Sequence, residues 1–221
     1  GSPSGDRSSG SGVVTGGHVL SLVPDNPYAR AAGVIALAAL GSGGLYTLST
    51  EDLLRYAWPI SFVDPWQVVT ALAWAVNMKA TFAGGRLDGS SRGTPSPPRP
   101  VSFFTPASWA FTIWAPILLG EAMFVQFQIL PLPSIRGCWW LSDASPWFAC
   151  AMIFQTLWCL SFRPWARDAG LLWLPALLLG GAAFALCGAH SVLREAWFAR
   201  DMELPGYLLV NLPIRCALTE A

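Results

Sequence analysis

Glu121 sits inside an otherwise uncharged apolar run, residues 107–130, and is the most informative ionisable group in the sequence. A carboxylate in apolar surroundings is costly enough to require a partner, a water-filled cavity or a bound proton. At helical spacing Glu121 shares a face with Trp114 and Leu118, and Gln126 and Gln128 add hydrogen-bonding groups toward the end of the run. Proton transfer is one chemistry open to such a residue, but a relay needs a second acid on another helix, and no such partner stands out. A second polar feature precedes it. Gln67, Thr70, Trp74, Asn77 and Thr81 recur at i, i+3, i+7, i+10 and i+14, one face of a helix. Such a stripe turns away from lipid, either to hydrogen-bond a neighbouring helix or to line a cavity.

Twelve tryptophans add a third feature. Trp58, Trp66, Trp139, Trp140, Trp165 and Trp197 fall near predicted helix ends, where an interfacial aromatic belt explains them. Trp74, Trp109, Trp114, Trp147, Trp158 and Trp173 fall inside predicted spans. They fit either a cavity for a flat, largely apolar ligand or aromatic packing between helices. His190, at a predicted helix end, and His18, in the polar N-terminal region, are weak candidates to ligate a tetrapyrrole metal; an interfacial polar role serves each as well. The five cysteines have no C-x-x-C spacing and read as small apolar packing residues. Without a metal-ligand spacing, phosphate loop, nucleophile elbow or carboxylate pair, the sequence makes no case for an enzyme.

The elements that position these residues follow from composition. Of 221 residues 53% are hydrophobic and 12% charged, with a mean hydropathy of +0.46, whereas soluble domains carry about 25% charged residues. The chain therefore reads as an integral membrane protein, all-α, with five or six spanning helices. Zero net charge and scattered arginines argue against a nucleic-acid partner. Charge-free runs of spanning length occur at 29–48, 65–83, 107–130 (interrupted by Glu121), 146–162, 169–189 and 204–218, the last compromised by Arg215. Pro65, Pro106, Pro146 and Pro205 fall at or before these starts, where a missing N–H costs nothing. Residues 84–100 form a polar Gly/Pro loop outside the bilayer. Domain organisation is thus an extended tail at 1–28, an extra hydrophobic helix and loop at 29–64, and a bundle at 65–221 whose last helix ends early.

With alternating spans, one side collects Arg7, Arg30, Lys79, Arg86, Arg92, Arg99, Arg163 and Arg167, and the other Arg55, Arg136, Arg194 and Arg200. The richer side should face the cytoplasm or its organellar equivalent. The Gly/Ser-rich start without an initiator Met fits a processed or shortened N-terminus. Twelve arginines beside one lysine, with abundant Ala, Gly and Pro, fit GC-rich coding. An algal plastid protein of the thylakoid is slightly favoured over a bacterial membrane protein.

The run Phe104–Thr105–Pro106–Ala107–Ser108–Trp109–Ala110–Phe111–Thr112–Ile113–Trp114 resembles the second helix of the TspO/MBR family, the tryptophan-rich sensory and translocator proteins, in its larger bacterial and algal type. Asn77, then Ser145-Pro146-Trp147-Phe148 with Gln155-Thr156-Leu157-Trp158, then Leu204-Pro205-Gly206-Tyr207 continue the resemblance in order over about Trp66–Ala221. It implies a five-helix bundle, often dimeric, with a cavity under the first interhelical loop that binds porphyrins and other tetrapyrroles, or sterols in animal members. Carried over by position, Trp109, Phe111 and Trp114 would line one wall, with Asn77, Gln155 and Trp158 opposite. Trp74 and Glu121 complete the candidate ligand-binding set. Gln155 stands where relatives usually have Asn, and residues 84–100 lack the Trp-rich Pro motif of shorter members. The helix at 29–48 is additional to the family core.

Three functions follow as expectations. The first is binding of a tetrapyrrole, porphyrin or chlorophyll-like, or of a lipid in a Trp-lined cavity. The second is a non-catalytic scaffold or accessory subunit of a large membrane complex such as a photosystem-antenna supercomplex, which suits the added helix with its small-residue face Ala32, Ala36, Leu40. The third is a proton-coupled transporter using Glu121, for which no internal repeat speaks.

Overall fold

The computed structural model describes residues 26–50, 64–87, 114–129, 138–202 and 206–207. Among these are six helices and no strand: α1 (Pro27–Thr50), α2 (Pro65–Thr81), α3 (Trp114–Ile129), α4 (Trp139–Ser161), the short α5 (Pro164–Asp168) and α6 (Trp173–Phe198). The chain is an all-α membrane bundle with an added N-terminal helix. Of the span expected at 204–218, only Gly206 and Tyr207 belong to the described residues.

Local chemistry sets several ends. Asp64 caps α2 by accepting the Trp66 N–H at 2.9 Å, and Pro65 follows in the first turn, where its missing donor is not needed. After α6 the chain turns through Arg200 at φ 62°, and the Asp201 N–H reaches back to the Ala196 carbonyl at 3.0 Å. Gly170 (φ 71°) makes the same left-handed stop after α5, with the Leu171 N–H on the Ala166 carbonyl at 2.7 Å.

Contacts fix the directions. Asn77 meets Gln155 and Thr81 meets Cys159, so α2 and α4 run parallel. Gln67 meets Gln128 and Asn77 meets Glu121, so α3 is antiparallel to α2. Gly181 lies on Phe154 and Gly188 on Trp147, so α6 is antiparallel to α4. α1 runs antiparallel along α4, with Gly41 against Ile153 and Ser49 near Pro146. One end of the bundle, here the proximal end, gathers Pro27, Thr81, Trp114, Ser161 and Trp173; the distal end gathers Thr50, Pro65, Trp139 and Phe198. Arg30, Lys79, Arg86, Arg163 and Arg167 lie toward the proximal end, and Arg194 and Arg200 toward the distal one.

The outside of the bundle is apolar. Leu40, Leu72, Leu119, Phe184 and Phe198 are each more than 60% exposed, while Thr70, Asn77, Gln128, Ser145 and Gln155 are buried. Water would reverse that distribution; hydrocarbon favours it. α1 and α6 are each long and apolar enough to cross a membrane. At 1.5 Å per residue the 24 residues of α1 extend about 36 Å, ample for a core of roughly 30 Å.

Some boundaries differ from the sequence expectation. α4 starts at Trp139, so Pro146 lies inside the helix instead of opening it. Pro146 withholds the N–H that the Ser142 carbonyl would otherwise accept, and the Ser145 hydroxyl beside it donates to the Leu141 carbonyl of the same turn at 2.7 Å. α6 begins at Trp173 and continues through Phe198, which places His190, Arg194 and Glu195 within the helix and not in a loop. The tryptophan belt is partly reassigned. Trp66 and Trp140 are buried, and Trp173, now at a helix start, is 53% exposed.

α4 and α6 approach through glycines. A Cβ on Gly188 would stand 2.5 Å from the Trp147 ring, and one on Gly181 would stand 2.7 Å from Phe154. Gly181→Val is therefore expected to lower stability by about 1–3 kcal/mol through overpacking, read as an earlier thermal transition in detergent. Gly180→Ala, whose new Cβ meets nothing within 4 Å, serves as the neutral control.

Candidate functional site

Two clusters meet on α4. The first is polar and lies mid-bundle. Asn77, fully buried on α2, donates through Nδ2 to Gln155 Oε1 at 2.9 Å, and Glu121 Oε2 and Met152 Sδ lie at 3.5 Å, the outer limit for a bond. Gln155 hydrogen-bonds Glu121 in turn, and the Thr156 hydroxyl points to Asn77 Oδ1 at 3.5 Å. Three helices are thereby pinned at one level. The polar stripe on α2 turns inward as its period requires: Gln67 Nε2 donates to the Gln128 carbonyl at 2.9 Å, and Thr81 Oγ1 lies 3.7 Å from Cys159 Sγ. Trp74, one turn toward the distal end from Asn77, is partly buried, and its Nε1–H finds no partner among the described residues.

The second cluster is aromatic and lies at the proximal end. Trp158, one turn beyond Gln155, stacks on Trp114 with centroids 5.0 Å apart and on Phe162 at 5.4 Å. The Arg86 guanidinium lies 4.8 Å from the Trp158 ring centroid, within cation–π range, and donates to the Thr81 carbonyl at 3.1 Å. Residues 84–87 thus do not stand clear of the bundle as expected for a free loop. Leu87 N–H bonds the Phe162 carbonyl at 3.1 Å, and Arg86 is only 3% exposed. Arg163 stands beside it, its Nε donating to the Cys159 carbonyl at 3.4 Å. Burial pushes the Arg163 guanidinium below its usual range, and the neighbouring Arg86 charge pushes the same way.

Of the anticipated ligand-binding residues, Asn77, Glu121 and Gln155 form the polar cluster, and Trp114 and Trp158 the aromatic one; the i, i+3 step from Gln155 to Trp158 joins them. Trp109 and Phe111 lie outside the described residues. His190 stands about 25 Å along α6 from the proximal end, apart from both clusters. Among the described residues no three His, Cys, Asp or Glu side chains gather as a metal site. Arg86, Phe162 and Arg163 were missed from the sequence. The i, i+4 spacing of Trp158 and Phe162 was the available signal for one of them.

A family model described as TSPO-like protein matches residues 65–214. The chain belongs to the TSPO-like family. Neither the curated proteins nor the solved structures give a match. The TSPO-like region contains α2 through α6 and both clusters, while α1 precedes it. Membership agrees with the helical membrane bundle derived from the burial pattern, and the match begins at the first residue of α2.

Proposed function

We propose that this TSPO-like membrane protein binds a tetrapyrrole at the proximal end of its bundle, against Trp114, and does so without catalysing a reaction. The observation that carries the reading is the Trp114–Trp158–Phe162 ladder, with the buried Arg86 guanidinium over the Trp158 ring and Arg163 beside it. A flat conjugated macrocycle matches an aromatic face, and an acidic side chain of a natural porphyrin matches the half-buried Arg163, with the buried Arg86 charge behind it. Trp158 is buried while Trp114 and Phe162 are half-buried, so the outer rings of the ladder retain surface, and Trp114 offers the larger one. Asn77, Gln155 and Glu121 lie deeper and satisfy one another, so they close the floor below the ladder.

Charge provides the test. Purified chain in detergent or nanodiscs is titrated with protoporphyrin IX and with its uncharged dimethyl ester, followed by tryptophan quenching. The free acid is expected to bind about tenfold tighter, and Arg163→Gln to remove most of that preference while leaving ester binding unchanged. Equal affinity for the two ligands, or an unaltered preference in the variant, contradicts the placement of the carboxylates.

A further inference from the structure

Thr70 is fully buried on α2, and its hydroxyl has no bonding partner among the described residues. Helical hydroxyls elsewhere in the bundle are satisfied by their own backbone. Ser42, Thr47, Ser145, Ser161 and Ser191 each donate to a carbonyl three or four residues back, at 2.7–3.1 Å. Thr70 has the same option and does not take it. Two further buried atoms share its condition, Trp74 Nε1 on α2 and Gln128 Oε1 on α3.

The three belong to one stretch of the seam between α2, α3 and α4. Gln67 Nε2 donates to the Gln128 carbonyl at 2.9 Å and Gln128 Nε2 to Ser145 Oγ at 3.3 Å, so Gln67, Gln128 and Ser145 mark one level. Thr70 stands one turn from that level and Trp74 two, both on the inward stripe of α2. Side chains on a helix lean toward its N-terminus, which tips Trp74 toward Thr70 and, because α3 runs the other way, tips Gln128 toward Thr70 as well. The Gln128 amide has one orientation. The Ser145 hydroxyl commits its proton to the Leu141 carbonyl at 2.7 Å and so accepts from Gln128 Nε2, which turns Oε1 away from Ser145.

We propose that this seam binds internal water, held by Thr70 Oγ1, Trp74 Nε1 and Gln128 Oε1. The bonding capacities select the occupant. An indole N–H only donates, an amide oxygen only accepts and a hydroxyl does either, so the three atoms together match a molecule that both donates and accepts. A cation is turned away by the indole N–H, and an anion by the amide oxygen. A larger polar molecule meets two rings. Phe148, three residues beyond Ser145 and so level with Thr70, is buried and stacks on the buried Phe124 at 4.3 Å. A buried water makes about three hydrogen bonds, one for each atom here, and such waters occur at roughly one per 27 residues. Unpaired polar groups away from bulk solvent are costly, which gives the seam its affinity for water. The water joins α2 to α3 between the Gln67–Gln128 bond and the Asn77–Glu121 contact, and its binding does not depend on what the aromatic ladder holds.

The experiment has two readouts on the full chain in nanodiscs. In the first, a brief X-ray pulse in isotopically labelled water generates radicals from bound water, and the oxidised residues are mapped by mass spectrometry. Trp74 is expected to be oxidised several-fold faster than Phe184, each scaled for its intrinsic reactivity, because Phe184 is 71% exposed but faces hydrocarbon. The second readout is the thermal midpoint of Thr70→Val, which keeps the shape of the side chain and removes its hydroxyl. The midpoint should fall by about 2–4 °C, the effect of one lost hydrogen bond in a chain of this length. Trp74 oxidation should slow several-fold in the same variant, whereas Thr70→Ser should keep the wild-type rate. A dry seam predicts the opposite sign, since removing a buried unpartnered hydroxyl stabilises. A raised or unchanged midpoint in Thr70→Val, Trp74 oxidised no faster than Phe184, or oxidation unaltered by Thr70→Val would each overturn the proposal. If Thr70→Val does not fold, the wild-type labelling decides alone.

Discussion

Trp114→Ala is expected to weaken protoporphyrin binding about 30-fold, equivalent to roughly 2 kcal/mol, the size of loss seen when an aromatic anchor is truncated. The residue contributes in two ways. Its half-buried ring offers the surface on which a macrocycle would lie, and its inner face stacks on Trp158 at 5.0 Å, so the wall is rigid before the ligand arrives. Trp114→Phe keeps a flat ring of smaller area and should recover most of the affinity. Trp173→Ala removes an exposed tryptophan from the same end of the bundle and should change nothing beyond the starting fluorescence. The check is an equilibrium titration of all three variants against wild type, with the quenching amplitude corrected for the number of tryptophans. Equal affinity for Trp114→Ala and wild type would place the ligand elsewhere.

The largest stability effect is expected at Asn77. Replacement by leucine removes the donor to Gln155 Oε1 and leaves Gln155 and Glu121 buried with fewer partners. Each deprived buried group costs about 1–3 kcal/mol, so a total loss of about 2–4 kcal/mol is expected. Replacing the whole cluster is predicted to be milder. The triple variant Asn77→Leu, Gln155→Leu, Glu121→Met deprives only the Thr156 hydroxyl, of one long bond, and should regain most of the loss, since an apolar interior of similar volume needs no partners. Thermal denaturation in detergent distinguishes the cases. A single variant as stable as wild type, or a triple variant less stable than the single one, would mean that the three side chains do not lock α2, α3 and α4 together.

Much of this arrangement was legible in the sequence, for identifiable reasons. A hydrocarbon core demands long apolar runs, so α1, α2, α3, α4 and α6 all announce themselves by composition. The period of Gln67, Thr70, Asn77 and Thr81 is a direct consequence of helix geometry, and it correctly indicated which face of α2 turns inward. That the stripe would close onto Glu121 and Gln155 needed the interhelical register, which no local pattern contains. Pro146 misled because proline at a helix start and proline inside a membrane helix look alike in sequence; only the preceding Trp139–Ser145 segment, polar enough to resemble a loop, hides the first two turns of α4. Tryptophan is similarly ambiguous. Trp140 and Trp173 both stand near helix ends, yet one stacks on Phe127 inside the bundle at 6.4 Å and the other faces outward. Arg86 was invisible as a site residue because it belongs to a Gly/Pro-rich stretch, and its place over Trp158 arises from the chain folding back onto α4 at Leu87.

The added helix is the feature that most distinguishes this chain from the family core. Among the described residues its main contacts are with α4, and with α5 to a lesser extent, and Leu37 and Leu40 are 58% and 74% exposed.

The ladder carries the functional reading, and titrating wild-type protein with protoporphyrin IX addresses it most directly. Saturable tryptophan quenching with one porphyrin per chain and a shifted porphyrin absorption band is the predicted result. Quenching that rises linearly with porphyrin and matches that of empty nanodiscs would mean that the proximal end of the bundle holds no tetrapyrrole.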